Sequence, residues 1–116
     1  MYSFTFRQEK SLDDRINEAT ALLIKYPNKI PIIVNVDEDI PLNKYKYLVD
    51  INIPFLEFCK ILRSRIKLNK EEGLYYIIGD SFCIPSFHSS IGELYHSYKS
   101  NDLFLIITIK KENIFG

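Results

Sequence analysis

The chain has 116 residues, 47% hydrophobic and 26% charged, which suits one compact domain with its own core and leaves too few residues for a second. Fifteen basic and fifteen acidic side chains cancel, so no global field favours nucleic acid or an anionic membrane surface. The longest apolar runs fall far short of the roughly 20 residues of a spanning helix, and Met1-Tyr2-Ser3-Phe4-Thr5-Phe6-Arg7 lacks a signal-peptide layout; the expectation is a cytoplasmic protein.

In chain order, Leu12, Ile16, Ala19, Leu23 and Tyr26 recur at spacings of three and four, which predicts an amphipathic helix opened near Ser11 or Asp13 and closed before Pro27. Alternation then predicts two strands, one with Ile30, Ile32, Val34 and Val36 on one face, the other with Tyr45, Tyr47, Val49, Ile51 and Ile53 on one face. The polar, proline-containing loop between them suits antiparallel neighbours. Phe55, Phe58, Cys59, Leu62 and Ile66 form the stripe of a second helix entered at Pro54. Leu74 to Ile78 reads as a short buried strand ended by Gly79-Asp80, Ile91 to Tyr98 as a short helix, and Leu103 to about Lys110 as the last strand. The order implies an α+β fold, a β-grasp with an additional N-terminal helix or helices. The expected division is a helical extension over 1–27, a β-grasp core over 28–110 and a flexible tail over 111–116.

Little in the chain suggests catalysis. Cys59 and Cys83 read as reduced thiols, and His88 and His96 have no Cys or carboxylate at ligand spacing. No GxSxG, HExxH, P-loop or GxGxxG pattern is present. The expectation is a protein without enzymatic activity, metal or cofactor. Gly116 carries a different kind of chemistry: with no Cβ, a terminal glycine threads a narrow channel and presents its carboxylate to an activating enzyme.

Four segments carry a resemblance: Lys25-Tyr26-Pro27-Asn28-Lys29-Ile30-Pro31-Ile32-Ile33, Lys46-Tyr47-Leu48-Val49, Leu62-Arg63-Ser64-Arg65-Ile66-Lys67-Leu68 and Glu112-Asn113-Ile114-Phe115-Gly116. In order and spacing they resemble the KYPDRIPVI, KKYLV, IRKRIKL and ENTFG segments of the autophagy ubiquitin-like modifiers that include GABARAP. Asp39-Ile40-Pro41 matches a further family loop. The resemblance implies a modifier activated at Gly116 by an E1-like enzyme and passed by an E2-like enzyme to phosphatidylethanolamine on autophagosomal membranes. Phe115 would be the tail residue recognised by those enzymes and by a deconjugating cysteine protease.

The resemblance also implies a groove for cargo receptors and adaptors bearing a short aromatic-x-x-aliphatic motif, which adds a strand at the sheet edge. Glu18, Leu22, Pro31, Ile33, Lys46, Leu48 and Phe104 would line the aromatic pocket. Tyr47, Val49, Phe58, Ile61 and Arg65 would line the aliphatic one. Alternation supports part of this independently, because it throws Leu48 outward between Lys46 and Asp50. For Ile33, Val49 and Phe58, plain core packing is an equal expectation.

Some positions depart from the family. Asp50 stands where proline is usual at the pocket rim, Tyr45 replaces a lysine, and Lys10-Ser11 replaces His-Pro. Two other readings stay open: the related autophagy modifier that joins a protein lysine, and a non-conjugated adaptor whose terminal glycine is incidental. Lys25 to Ile33 and Lys46 to Val49 favour the lipid-conjugated branch.

Overall fold

The computed structural model describes residues 9–37, 40–66, 73–79 and 86–112; Phe4, Phe6, Asp39, Cys83, Phe115 and Gly116 lie outside them. The first helix, α1 (Leu12–Lys25), begins where the Ser11 hydroxyl accepts a hydrogen bond from the Asp14 N–H at 3.1 Å. Asp13 and Asp14 in its first turn and Lys25 in its last complement the helix dipole. Its packed face differs from the predicted stripe. Ala19 is fully buried and Leu22 packs beside it, whereas Leu12 is 40% exposed. The small Ala19 side chain lets the helix lie close to the sheet, so contact centres on the Arg15, Ala19 and Leu22 line rather than on Leu12 and Leu23.

Strand β1 (Lys29–Val36) pairs antiparallel with β2 (Lys46–Asp50), Pro31 lying opposite Leu48 and Ile33 opposite Lys46. The second strand is shorter than the alternation predicts. At Asp50 the carboxylate accepts from the Asn52 N–H at 2.8 Å and the carbonyl from the Ile53 N–H at 3.3 Å, turning the chain out of the ladder. Ile51 and Ile53 still pack on the main core. Tyr45 does not share the face of Tyr47: it precedes β2 and packs on the smaller cluster beneath α1.

The next helix, α2 (Phe55–Arg65), buries Phe55, Phe58, Cys59 and Leu62 as the periodicity predicts. Strand β3 (Leu74–Ile78) ends at Gly79, whose φ of 67° favours a residue without Cβ. Ser90 and Glu93 form a reciprocal capping box at the start of α3 (Ile91–Tyr98). Gly92 in that helix donates its N–H to the Ile51 carbonyl at 2.9 Å, and a Cβ there would sit 3.1 Å from the same oxygen.

The last strand, β4 (Leu105–Lys111), completes a sheet of order β2-β1-β4-β3, with β1 and β4 parallel at its centre and β3 antiparallel to β4. This is the expected β-grasp order of two paired strands, a crossing helix and two further strands. Ile30, Ile32, Val34, Leu105, Ile107 and Ile109 join α2 in the main core. Ile33, Phe104 and Ile106 join Ala19 in the smaller cluster under α1. Strand β1 is therefore covered on both faces, and only Lys29 at its start is exposed.

The predicted start of the last strand at Leu103 is moved by the loop before it. Leu103 adopts φ 70°, a left-handed conformation that a bulky side chain rarely takes. Its surroundings over-determine it. The Leu103 N–H donates to Ser100 O at 3.0 Å, its carbonyl accepts from the Tyr95 hydroxyl at 2.8 Å, and Ser100 N–H donates to Phe104 O at 2.9 Å. At the centre lies Asp102, fully buried. One oxygen, Oδ1, accepts from the Phe104 N–H at 3.1 Å and from the Ser100 hydroxyl; the other, Oδ2, accepts from Arg15 Nε at 3.1 Å. Removing one partner of such a buried ion pair leaves the other charge uncompensated. Asp102→Ala is accordingly expected to lower folding stability by about 3–5 kcal/mol, measured as a lower urea midpoint with an unchanged slope.

Candidate binding groove

Between α1 and the exposed edge of β2 lies a cavity of about 280 Å³ lined by Glu18, Leu22, Ile32, Lys44, Lys46, Tyr47, Leu48 and Phe104. Helical spacing puts Glu18 and Leu22, four residues apart, on one wall. Strand alternation puts Lys46 and Leu48 on the facing wall, and Phe104, 1% exposed, forms the apolar base. Among the described residues no strand pairs with the outer side of β2, so that edge is open to a further strand.

The polar rim is built around one carboxylate. Glu18 Oε1 accepts from Lys46 Nζ at 2.8 Å and Oε2 from Lys10 Nζ at 3.0 Å. Partial burial raises the Glu18 pKa, but the two ammonium hydrogen bonds and charges outweigh it and hold the carboxyl below its ordinary value. Tyr47 is also approached by cations, with Lys44 Nζ 5.1 Å and Arg65 Cζ 5.9 Å from its ring centroid. Burial raises the Tyr47 pKa against the opposing charge of Arg65.

The structure brings together Glu18, Leu22, Lys46, Leu48 and Phe104 of the proposed aromatic pocket, but not Pro31 and Ile33. Pro31 is buried in the ladder opposite Leu48, and Ile33 is fully buried under α1. Of the residues assigned to the aliphatic pocket, Val49 at 8% exposure and Phe58 at 1% belong to the core. Phe58 meets Tyr47 edge-on, their centroids 5.6 Å apart. Ile61, 39% exposed, and Arg65 one helical turn on form the outward surface beside them. The Asp50 carboxylate, at the position where the family usually has proline, accepts a hydrogen bond from the Asn52 N–H. Phe115 and Gly116 lie outside the described residues.

Sequence reasoning missed Lys44, although its spacing of two from Lys46 was a signal. It also missed a second cavity, of about 420 Å³, on the β3 side of α2. Leu56, Cys59, Lys60, Arg63, Ser64, Tyr76 and Phe87 line it. Phe87 stacks on Phe55 at 6.0 Å from a loop distant in sequence, so no local pattern announces the arrangement. Burial pushes the Cys59 thiol up to about 12, which leaves it unsuited to act as a nucleophile. Among the described residues no cluster of three or more His, Cys, Asp or Glu is placed to hold a metal ion, and no helix is long and apolar enough to cross a membrane.

The four-stranded mixed sheet, its crossing helix and the added α1 define a ubiquitin-like fold. The crystal structure of ATG8 from Trypanosoma brucei superposes with a TM-score of 0.81 over 96% of this chain and 97% of that one, at 24% identity. The sequence model of the family described as autophagy protein Atg8, ubiquitin-like, matches residues 14–116. Autophagy-related protein 8D of Oryza sativa subsp. japonica is 35% identical, over 96% of each chain. Microtubule-associated protein 1 light chain 3 gamma of Homo sapiens is 34% identical, over 96% of this chain and 78% of that one. The chain belongs to the Atg8 family of ubiquitin-like autophagy proteins.

The depressed Glu18 pKa has a definite sign for stability. The Glu18 contribution is complete above the unfolded-state value near 4.5 and is lost as pH falls through the lower folded-state value. Glu18→Gln is therefore expected to melt below the wild type at neutral pH, with the gap narrowing as pH falls below 4.5, as thermal melts across the acid range would show.

Proposed function

We propose that this chain is a lipid-conjugated modifier of autophagy, joined through the Gly116 carboxylate to the amine of phosphatidylethanolamine and recruiting receptors through the groove beside β2. Family membership supports the conjugation. An E1-like enzyme activates Gly116, an E2-like enzyme transfers it, and a cysteine protease reverses the linkage, with Phe115 as the tail residue they recognise. The protein is the cargo of that chemistry and contributes no catalytic group. It is cytoplasmic when free and on autophagosomal membranes when lipidated.

The observation that carries receptor binding is the open edge of β2 beside an apolar slot with a cationic rim. An extended peptide adds a strand to such an edge through its backbone and seats alternate side chains in the flanking pockets. The aromatic residue of the motif enters between Leu22, Leu48 and Phe104, where the Lys46 stem covers its face. Its aliphatic residue, three positions on, lies toward Tyr47, Ile61 and Arg65, with Val49 and Phe58 as support from the core beneath. Pro31 and Ile33 act in the same way under the aromatic pocket. Acidic residues flanking the motif meet Lys44 and Lys46.

Two measurements test the two halves separately. Intact mass and membrane flotation of the protein from starved cells should show a mass gain matching phosphatidylethanolamine, with flotation lost in Gly116→Ala; a glycine-dependent adduct to a protein would instead establish the protein-conjugated reading. Lys46→Ala combined with Leu48→Ala should weaken a receptor peptide more than about tenfold, or 1.4 kcal/mol, in a domain that still melts cooperatively. Unchanged affinity would exclude the groove.

A further inference from the structure

In the cavity beside β2, α1 supplies one wall, Glu18 and Leu22, and the chain entering β4 supplies the base, Phe104, in the small cluster against which Leu22 packs. One side chain adds directional bonds to both elements. Asp102 Oδ2 accepts from Arg15 Nε at 3.1 Å, and Asp102 Oδ1 accepts from the backbone N–H of Phe104 at 3.1 Å. Arg15 lies three residues before Glu18 and seven before Leu22, so anchor, rim and wall share one face of α1. We propose that Arg15 and Asp102 are positioning residues that fix how the α1 wall sits over the base of this pocket, and so its discrimination between aromatic side chains of different size. The inference rests on the reading of the groove as a site for aromatic motifs.

Three further features support a spacer rather than an ordinary surface ion pair. Asp102 is fully buried and the Arg15 side chain only 11% exposed, so the bond is shielded from competing water and salt. Arg15 is oriented by a second bond, from its Nη1 to the Lys10 carbonyl at 2.8 Å. The segment carrying Phe104 is held in a strained conformation at Leu103, φ 70°, closed by the Tyr95 hydroxyl on the Leu103 carbonyl at 2.8 Å and by Ser100 N–H on Phe104 O at 2.9 Å. Strain of this kind persists where surrounding contacts over-determine a conformation, and it accompanies pre-organised sites. A pocket whose α1 wall and base are tied to one buried carboxylate needs less ordering on binding, and that lowers the cost to the affinity. Loosening either tie lets the α1 wall shift over the base. Indole and benzyl groups then fit less differently.

The chain contains no tryptophan, so a tryptophan in a peptide reports its own binding by fluorescence. Two peptides with acidic residues before an aromatic-x-x-aliphatic core, one carrying tryptophan and the other phenylalanine at the aromatic position, are titrated against wild type, Arg15→Gln and Tyr95→Phe. The tryptophan peptide is followed directly and the phenylalanine peptide by competition. Tyr95 lies outside the cavity, and its replacement removes one hydroxyl, so that variant decides the matter if Arg15→Gln does not fold. The expected result is that the ratio of the two affinities moves toward unity by about threefold or more relative to wild type. A general loss of folded protein would lower both affinities together and leave the ratio alone. An unchanged ratio in folded Tyr95→Phe and Arg15→Gln overturns the positioning role while leaving the groove intact. Failure of wild type to bind either peptide overturns both.

Discussion

A single buried carboxylate organises this molecule. Asp102 is removed from water, and its ionised form is tolerable only because Arg15, the Ser100 hydroxyl and the Phe104 N–H all donate to it. The three donors come from different parts of the structure. Arg15 brings α1 onto the sheet, Ser100 closes the loop after α3, and Phe104 sets the point where the chain enters β4. The smaller hydrophobic cluster of Ala19, Ile33, Phe104 and Ile106 gathers in the same region. Packing there has little area of its own to specify an angle for α1, and the directional bonds supply that specification.

The groove shows how charge and burial are divided between two faces of one strand. On β2, Tyr47 and Val49 turn toward the main core while Lys46 and Leu48 turn toward α1. Glu18 consumes part of the positive charge at one end through Lys10 and Lys46, whereas Lys44 and Arg65 gather around the Tyr47 ring at the other. Lys44 and Arg65 there add positive charge to that carried by Lys46 on β2. For the receptor peptides proposed above, that distribution would act mainly on encounter and register.

Much of the fold was legible in the residues. The stripe of Phe55, Phe58, Cys59 and Leu62, the Ser11 cap and the Ser90–Glu93 pair are local patterns with local causes, and the helices follow from them. The misreadings have a common origin in contacts distant along the chain. Nothing near Leu12 says that Ala19 will be the point of closest approach, and nothing in Leu103-Phe104-Leu105 distinguishes a strained residue from a strand residue. Tyr45 and Tyr47 obey alternation on paper but fall to different clusters, because the ladder begins only at Lys46. In the candidate groove, Leu48 could be seen as outward-facing from its neighbours. Its companions on α1 and at Phe104 came from family resemblance, since residues 18, 48 and 104 share no pattern a single sequence can display. The cavity beside Phe87 was invisible for the same reason.

The parallel pairing of β1 with β4 at the centre of the sheet also governs how the chain reaches this state. Asn35 lies beside Thr108, so the innermost strands come from distant parts of the described chain, and neither central strand has both of its neighbours until they meet. During synthesis, α1, the first hairpin and α2 can gather only as a half-covered assembly whose sheet presents an open, strongly apolar edge along β1. A centre built from distant segments makes closure slow and late, and the exposed edge of β1 is the surface most in need of protection from other nascent chains until β4 arrives.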